Sequence, residues 1–279
     1  MAYLQRVPGP PLHAFVASLW HYQSDPRPHS LERILPSGSV QLIVNLSEDE
    51  IRVYRPELGF RCDVTASGAV LSGPQTRYCV IDTAEQQNVL GVVFRPGGTV
   101  PFFRIGLHEV SDADIPLSML WRQRAGDLRE QLLVAPTPHE KLNVMERVLR
   151  QELSSCLLHP AVSFALEKFS LQHDEMSIGA MTGATGLSAK RFIEHFKTAV
   201  GMTPKSYSRV LRFQRAVALA EKGHRLDWTR VALESGYFDQ AHFIHDFRSF
   251  AGITPTHYQG ARTEFRNHVK ILQSSPSQL

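Results

Sequence analysis

Residues 236–258 read GYFDQAHFIHDFRSFAGITPTHY. Within them Phe243, Phe247 and Phe250 stand at i, i+4 and i+7, the spacing that lines one face of a helix. Asp239 sits where its carboxylate can accept from the first free N–H groups of that helix. Just upstream, Asp227 can cap a second, shorter helix, WTRVALES, with Val231 and Ala232 facing inward. Gly236 separates the two and supplies the positive φ that ends one helix and turns the chain into the next. The segment therefore predicts a helix, a tight turn and a second helix whose phenylalanines face a core. Gln240, Ala241, Ile244, His245 and Arg248 are left on its other faces.

The same pattern occurs earlier in the chain. Phe192, Ile193, Phe196, Gly201, Thr203, Pro204 and Tyr207 recur 51 residues later as Phe243, Ile244, Phe247, Gly252, Thr254, Pro255 and Tyr258. Upstream the offset is 50, pairing Gly186 with Gly236 and Ile178 with Trp228. Two copies are too few for a solenoid, which needs at least about three, so a duplicated small module is expected. In the first copy Ser177 is the candidate cap of IGAMTGAT, Gly186 makes the turn, and Ser188 caps AKRFIEHFKTAV. There Ala189, Lys190, Ile193, Glu194 and Lys197 face away from the phenylalanine side. Gly179 and Gly183 weaken the supporting helix by about 1 kcal/mol each relative to alanine, so the first copy is expected to be the softer.

Between the copies, KSYSRVLRFQRAVALAEKG reads as one long helix with an apolar stripe of Tyr207, Leu211, Ala218 and Leu219, stopped by Gly223. At 1.5 Å per residue it is a rod of roughly 27 Å. Such a rod can hold two reading helices in successive major grooves, about 34 Å apart on one face of a duplex. Each copy is thus a helix-turn-helix, with Arg209, Arg212 and Arg215 on the rod between them.

Here the pattern resembles a known family. GYFDQAHFIHDFRSFAGITPTHY is similar to the C-terminal signature of AraC/XylS regulators, and GLSAKRFIEHFKTAVGMTPKSY followed by LRFQRA is similar to their first unit. The resemblance covers about residues 159–260 and implies a DNA-binding domain at 159–262, with units at about 177–199 and 227–250 and a tail at 263–279. It implies base reading by Ala189, Lys190, Ile193 and Glu194 in one unit and by Gln240, Ala241, Ile244 and His245 in the other. Gln can bond an adenine edge, Lys a guanine, and Glu can accept from cytosine, while Ala and Ile touch thymine methyls. The family often carries Arg where Glu194 and His245 stand, which removes two strong guanine contacts. Lys197, Lys205, Arg209 and Arg248 are assigned to phosphates.

Charge agrees with a polyanionic partner. The net charge of +3 divides into −2 over residues 1–158 and +5 over residues 159–279.

Residues 1–155 are expected to form a separate effector-binding or dimerisation domain. SVQLIVNL, GAVLSG, TRYCVID and NVLGVVF read as short strands bounded by Gly, Pro and Asp, which predicts a β-sandwich or small barrel and an α+β, two-domain chain. FRPGGTVPFF and GPQTRY resemble a cupin-like sensor branch of the same family, which implies a barrel for a small organic effector. Trp20, Tyr78, Phe94, Arg95 and Phe102 are pocket candidates, with core packing as the alternative for each. PLSMLWRQRAGDLREQLLVAP and PHEKLNVMERVLRQELSS predict a helix pair with stripes of Leu120, Trp121, Leu128, Leu132 and of Leu142, Met145, Leu149, Leu153. The pair either packs on the barrel or, as the resemblance implies, makes a homodimer.

Other chemistry finds little support. Cys62, Cys79 and Cys156 are far apart, and the thirteen histidines make no HxH or HExxH, so no metal or cofactor is expected. No Ser/His/Asp motif, phosphate loop or paired-carboxylate site stands out, and an alkyl-transfer enzyme fused to a DNA-binding domain would need a reactive cysteine. No apolar run approaches the ~20 residues of a membrane helix, and no secretory leader is visible, so a cytoplasmic protein is expected. The resemblance implies an activator with double-stranded DNA and RNA polymerase as partners. A ligand-independent dimeric regulator is the alternative.

Overall fold

Alternation along the N-terminal strands assigns each residue to one of two faces, and the computed structural model follows that assignment closely. It describes residues 1–26, 30–55, 61–171, 178–222 and 227–271. Two antiparallel sheets face each other. The first runs β1 (Ala2–Arg6), β2 (Val16–Gln23), β9 (Asn88–Phe94), β4 (Gln41–Asn45), β7 (Ala69–Ser72) and β10 (Asp114–Pro116). The second runs β11 (His268–Lys270), β3 (Leu31–Ile34), β8 (Cys79–Asp82), β5 (Glu50–Arg55) and β6 (Arg61–Ser67). The sheets do not close into the expected barrel: no ladder joins one to the other. The first sheet ends on a three-residue strand finishing at Pro116, which has no N–H to extend it.

On one face of the first sheet Leu42, Val44, Leu71, Leu90, Val92 and Phe94 are buried under helices. Those helices are α1 (Leu117–Trp121), α2 (Gln123–Val134) and α3 (Pro138–Glu152). Thr137 caps α3, accepting from the Glu140 N–H at 3.2 Å, and Pro138 opens it where no donor is needed. The Lys141 ammonium on α3 donates to the Leu132 and Ala135 carbonyls at 2.5 and 2.7 Å, satisfying the end of α2. Trp121, Leu128, Leu132, Leu142, Met145 and Leu149 are all buried in this core. Most of the two apolar stripes therefore pack on the first sheet, the first of the two alternatives, with Leu120 and Leu153 only partly buried.

The C-terminal half is helical: α4 (Pro160–Leu171), α5 (Ile178–Thr185), α6 (Ala189–Val200), α7 (Pro204–Lys222), α8 (Trp228–Glu234), α9 (Gln240–Ala251) and α10 (Pro255–Ala261). The proposed cap Ser177 and stop Gly223 lie outside the described residues. Phe192, Phe196, Phe213, Phe243 and Phe247 have no exposed surface and form one core with Tyr207, Phe250 and Tyr258. Gly201 and Gly252 end α6 and α9 in the left-handed region, at φ 87° and 68°.

The two halves are packed together. Leu35, just after β3, is buried in the helical core, and the Gln214 amide on α7 donates to the Pro36 carbonyl at 2.8 Å. The chain beyond α10 returns to the first half, where β11 pairs antiparallel with β3. Residues 268–270 of the expected tail thus extend a sheet of the N-terminal half.

Candidate nucleic-acid interface and inter-sheet cavity

The two reading helices are built alike. The Ser188 hydroxyl accepts from the Arg191 N–H at 3.4 Å, and the Asp239 carboxylate accepts from the His242 N–H at 2.7 Å. With the phenylalanines buried, Ala189, Lys190 and Glu194 on α6 and Gln240, Ala241 and His245 on α9 are exposed. Ile193 and Ile244 are only half exposed, because their inner methyls pack on the core. Each helix therefore has three exposed candidate positions and one half-buried isoleucine.

Of the phosphate candidates, Lys205 and Arg248 are exposed and Lys197 is half-buried. Arg209 is engaged within the protein. Its guanidinium grips the Asp246 carboxylate of α9 at 2.7 and 3.3 Å and lies over the Phe250 ring at 5.3 Å. Asp246 is 2 % exposed, so it requires a cationic partner. Arg209 thus ties α7 to α9. That bond to Asp246 raises the already high pKa of the Arg209 guanidinium. The signal was in the sequence: Asp246 interrupts the inward face between Phe243 and Phe247, and a carboxylate there needs a partner.

Two features escaped the sequence reading. Phe238, in the turn before α9, is 89 % exposed while its neighbour Tyr237 is buried. The second is the loop of residues 73–78, between β7 and β8, which meets the ends of both reading helices. A Cβ on Gly201 would collide with Pro74, and one on Gly252 would collide with the Tyr78 ring. The Tyr78 N–H donates to the Phe250 carbonyl at 3.0 Å, and Arg33 lies over the Tyr78 ring at 5.4 Å.

Between the two sheets lies a cavity of about 590 Å³. Its floor follows the strand register of the first sheet in rows. One row sets Trp20, Gly91, Ile43, Val70 and Pro116 side by side across the strands. The next row sets Val93, Gln41, Ser72 and Asp114 side by side. A Cβ on Gly91 would run into the Trp20 indole, which is why a glycine stands under that ring. From the second sheet Ile34, Ile81 and Cys79 face inward. Burial, aided by Asp114, pushes the Cys79 thiol up to about 12, so it stays protonated and unreactive. The mouth is walled by residues 262–268, where Phe265 meets Tyr3 and Tyr22 with ring centroids 6.2 and 5.6 Å apart.

Of the five pocket candidates, Trp20 lines this cavity. Phe94 and Phe102 do not: Phe94 lies on the opposite face of β9, and the two rings stack under the helices, 5.4 Å apart. Arg95 is at the surface, donating to the His13 carbonyl at 2.9 Å, and Tyr78 belongs to the contact with Gly252. Phe94 is core because it continues the alternation of β9 onto the helix side, and Phe102, after the Gly97-Gly98 turn, packs against it there. Among the described residues no group of three His, Cys, Asp or Glu is placed to hold a metal, and no helix is long and apolar enough to cross a membrane.

Comparison with known proteins matches residues 181–261 to the family described as Helix-turn-helix domain. Residues 4–116 match the family described as Domain of unknown function (DUF6597). Over 122 residues the chain is 25% identical to an uncharacterized HTH-type transcriptional regulator of Haemophilus influenzae, covering 40% of this chain and 41% of that protein. The chain therefore spans about two fifths of the length of that curated relative. Among solved structures, a probable AraC family transcriptional regulator from Rhodopseudomonas palustris is 26% identical over 35% of this chain and 92% of its own, with a TM-score of 0.32. ToxT from Vibrio cholerae is similar along 93% of this chain and 97% of its own, at 10% identity and a TM-score of 0.46.

Proposed function

We propose that the chain is an AraC-family transcription regulator whose α6 and α9 together read one double-stranded DNA site, under the control of a small organic molecule bound in the N-terminal half; the match of its C-terminal half to a helix-turn-helix domain supports this reading. One observation carries the DNA reading. Two capped helices with buried phenylalanine faces present matching outer faces, and α7, 19 residues and about 28 Å long at 1.5 Å per residue, joins them. That length suits successive major grooves on one side of a duplex. Lys190 and Gln240 read purine edges, while Lys205 and Arg248 neutralise phosphates. The sensor comprises residues 1–155 together with the returning strand β11, and the reader comprises residues 159–262. We infer activation through RNA polymerase as the mode of action, with the effector altering how the reader is presented.

The test is selection of bound genomic fragments with the full chain, followed by binding of variants to the selected and to random duplexes. Lys190→Ala and Gln240→Ala each relax preference at one base position by about 1–3 kcal/mol. Arg248→Ala weakens binding to every sequence and lowers the salt slope by about 1. Equal losses on selected and random DNA for all three variants overturn the assignments.

A further inference from the structure

We propose that Phe238 is a sequence-reading residue whose ring meets the 5-methyl group of a thymine in the major groove, at the end of the site entered by the start of α9. The proposal rests on the DNA reading above and adds an apolar contact to it.

Five phenylalanines of the helical half, Phe192, Phe196, Phe213, Phe243 and Phe247, have no exposed surface, whereas Phe238 is 89 % exposed. A ring left in water means little where the chain around it is loose. Here both neighbours are tied down. The Tyr237 N–H donates to the Ala232 carbonyl at 3.0 Å, and the Tyr237 ring is buried against Phe243, with centroids 5.3 Å apart. On the other side the Asp239 carboxylate accepts from the His242 N–H at 2.7 Å and caps α9. Between a buried anchor and a helix cap the backbone of Phe238 is fixed. Its ring is held outward before any partner arrives, so contact costs little ordering entropy.

Position and charge select the partner. Phe238 stands two residues before Gln240, and Asp239, Gln240 and Ala241 are all exposed beside it. In a docked helix-turn-helix the first residues of the second helix contact base edges, so a side chain just before its cap approaches the same groove. Cations border the turn. A Cβ on Gly236 would stand 3.7 Å from Arg212 Cδ and 3.8 Å from Arg215 Nη1, and the Arg212 guanidinium lies over the Tyr237 ring at 5.3 Å. An apolar ring set among guanidinium groups, at the positive end of a helix, suits a polyanion that carries apolar groups of its own. In the major groove that group is the thymine methyl, and phenylalanine is among the side chains that touch it. An apolar protein partner would ask for a continuous apolar patch, and the exposed turn neighbours Gly236, Asp239 and Gln240 give none.

The experiment uses the duplex that the unmodified full chain selects, and copies of it in which each thymine in turn is replaced by uracil, which lacks only the 5-methyl group. At one thymine the exchange is expected to weaken the unmodified chain by about fourfold, the weight of one methyl group taken out of water. Phe238→Ala is expected to bind the selected duplex about tenfold more weakly and to be blind to that exchange, while Phe238→Leu keeps part of the sensitivity. Because the side chain is almost wholly exposed, both variants keep the thermal midpoint within about two degrees. Phe238→Ala binding as tightly as the unmodified chain overturns the proposal. So do uracil effects that are the same with and without the ring, or a selected duplex in which no exchange matters. Each of these leaves the regulator reading standing. A full chain that selects no duplex at all overturns both.

Discussion

At the scale of single residues, the Arg209–Asp246 pair separates a structural cation from those proposed to meet DNA. Asp246 is buried on the inward face of α9 and depends on Arg209. Arg209→Ala therefore leaves a carboxylate without its partner, and a loss of about 2–3 kcal/mol in urea unfolding is expected, less than for a wholly buried pair because the guanidinium is a third exposed. Arg248→Ala, at an exposed position, is expected to leave stability within about 0.5 kcal/mol. Equal stability losses in the two variants would contradict this division. Cysteine chemistry offers a second check. Cys62 and Cys156 are exposed, whereas the Cys79 thiol is pushed up to about 12. Since the thiolate is the nucleophile and burial disfavours it, Cys79 is expected to react much more slowly than an exposed thiol. Alkylation followed by mass spectrometry is expected to label Cys62 and Cys156 well before Cys79. Only as the pH climbs toward that value does Cys79 gain reactivity.

At the scale of elements, the first helix-turn-helix is expected to be the looser one. In α5 Met181 is deeply buried, and a Cβ on Gly183 would touch nothing within 4 Å, so packing gives no reason for a glycine there. Gly183→Ala is expected to raise stability by about 0.5–1 kcal/mol. Amide exchange in the unmodified protein should be faster in α5 than in α8; the reverse order would refute the comparison. Legibility in the sequence also divided by element. The reading helices, their caps at Ser188, Asp227 and Asp239, and the turns at Gly186 and Gly236 all act within a few residues, so the 3.6-residue period and the repeat exposed them. β4, β7, β8 and β9 were visible as apolar runs between breakers. β2, β5 and β6 were not read, nor were β1, β3 and β10, of which the last three are short strands toward a sheet edge that carry no full alternation. β11 was invisible for a different reason: its partner Glu32 is 236 residues away from His268, and no local pattern encodes so distant a pairing.

At the scale of the whole molecule, sensor and reader share surfaces rather than hanging from a linker. The loop of residues 73–78 joins two strands that wall the cavity and also abuts the closing glycines of both reading helices. One short segment thus connects the walls of the cavity with the ends of α6 and α9. Legibility was poorest here. Trp20 faces the cavity while Phe94 and Phe102 do not, and only the pairing of distant strands decides which side of a sheet becomes a void. The return of the chain into the first half has a consequence for how the molecule comes apart. The polypeptide crosses between halves at residues 153–159 and crosses back at residues 262–267, where β11 is stitched to β3 by the Leu35 N–H to the Asn267 carbonyl and the Ile271 N–H to the Leu31 carbonyl, each at 2.9 Å. A protease nick at the exposed Leu157 severs the backbone once, yet the fragments should travel as a single particle on a sizing column and part only in denaturant. Two separate peaks from the nicked protein would mean that the stitch is too weak to hold.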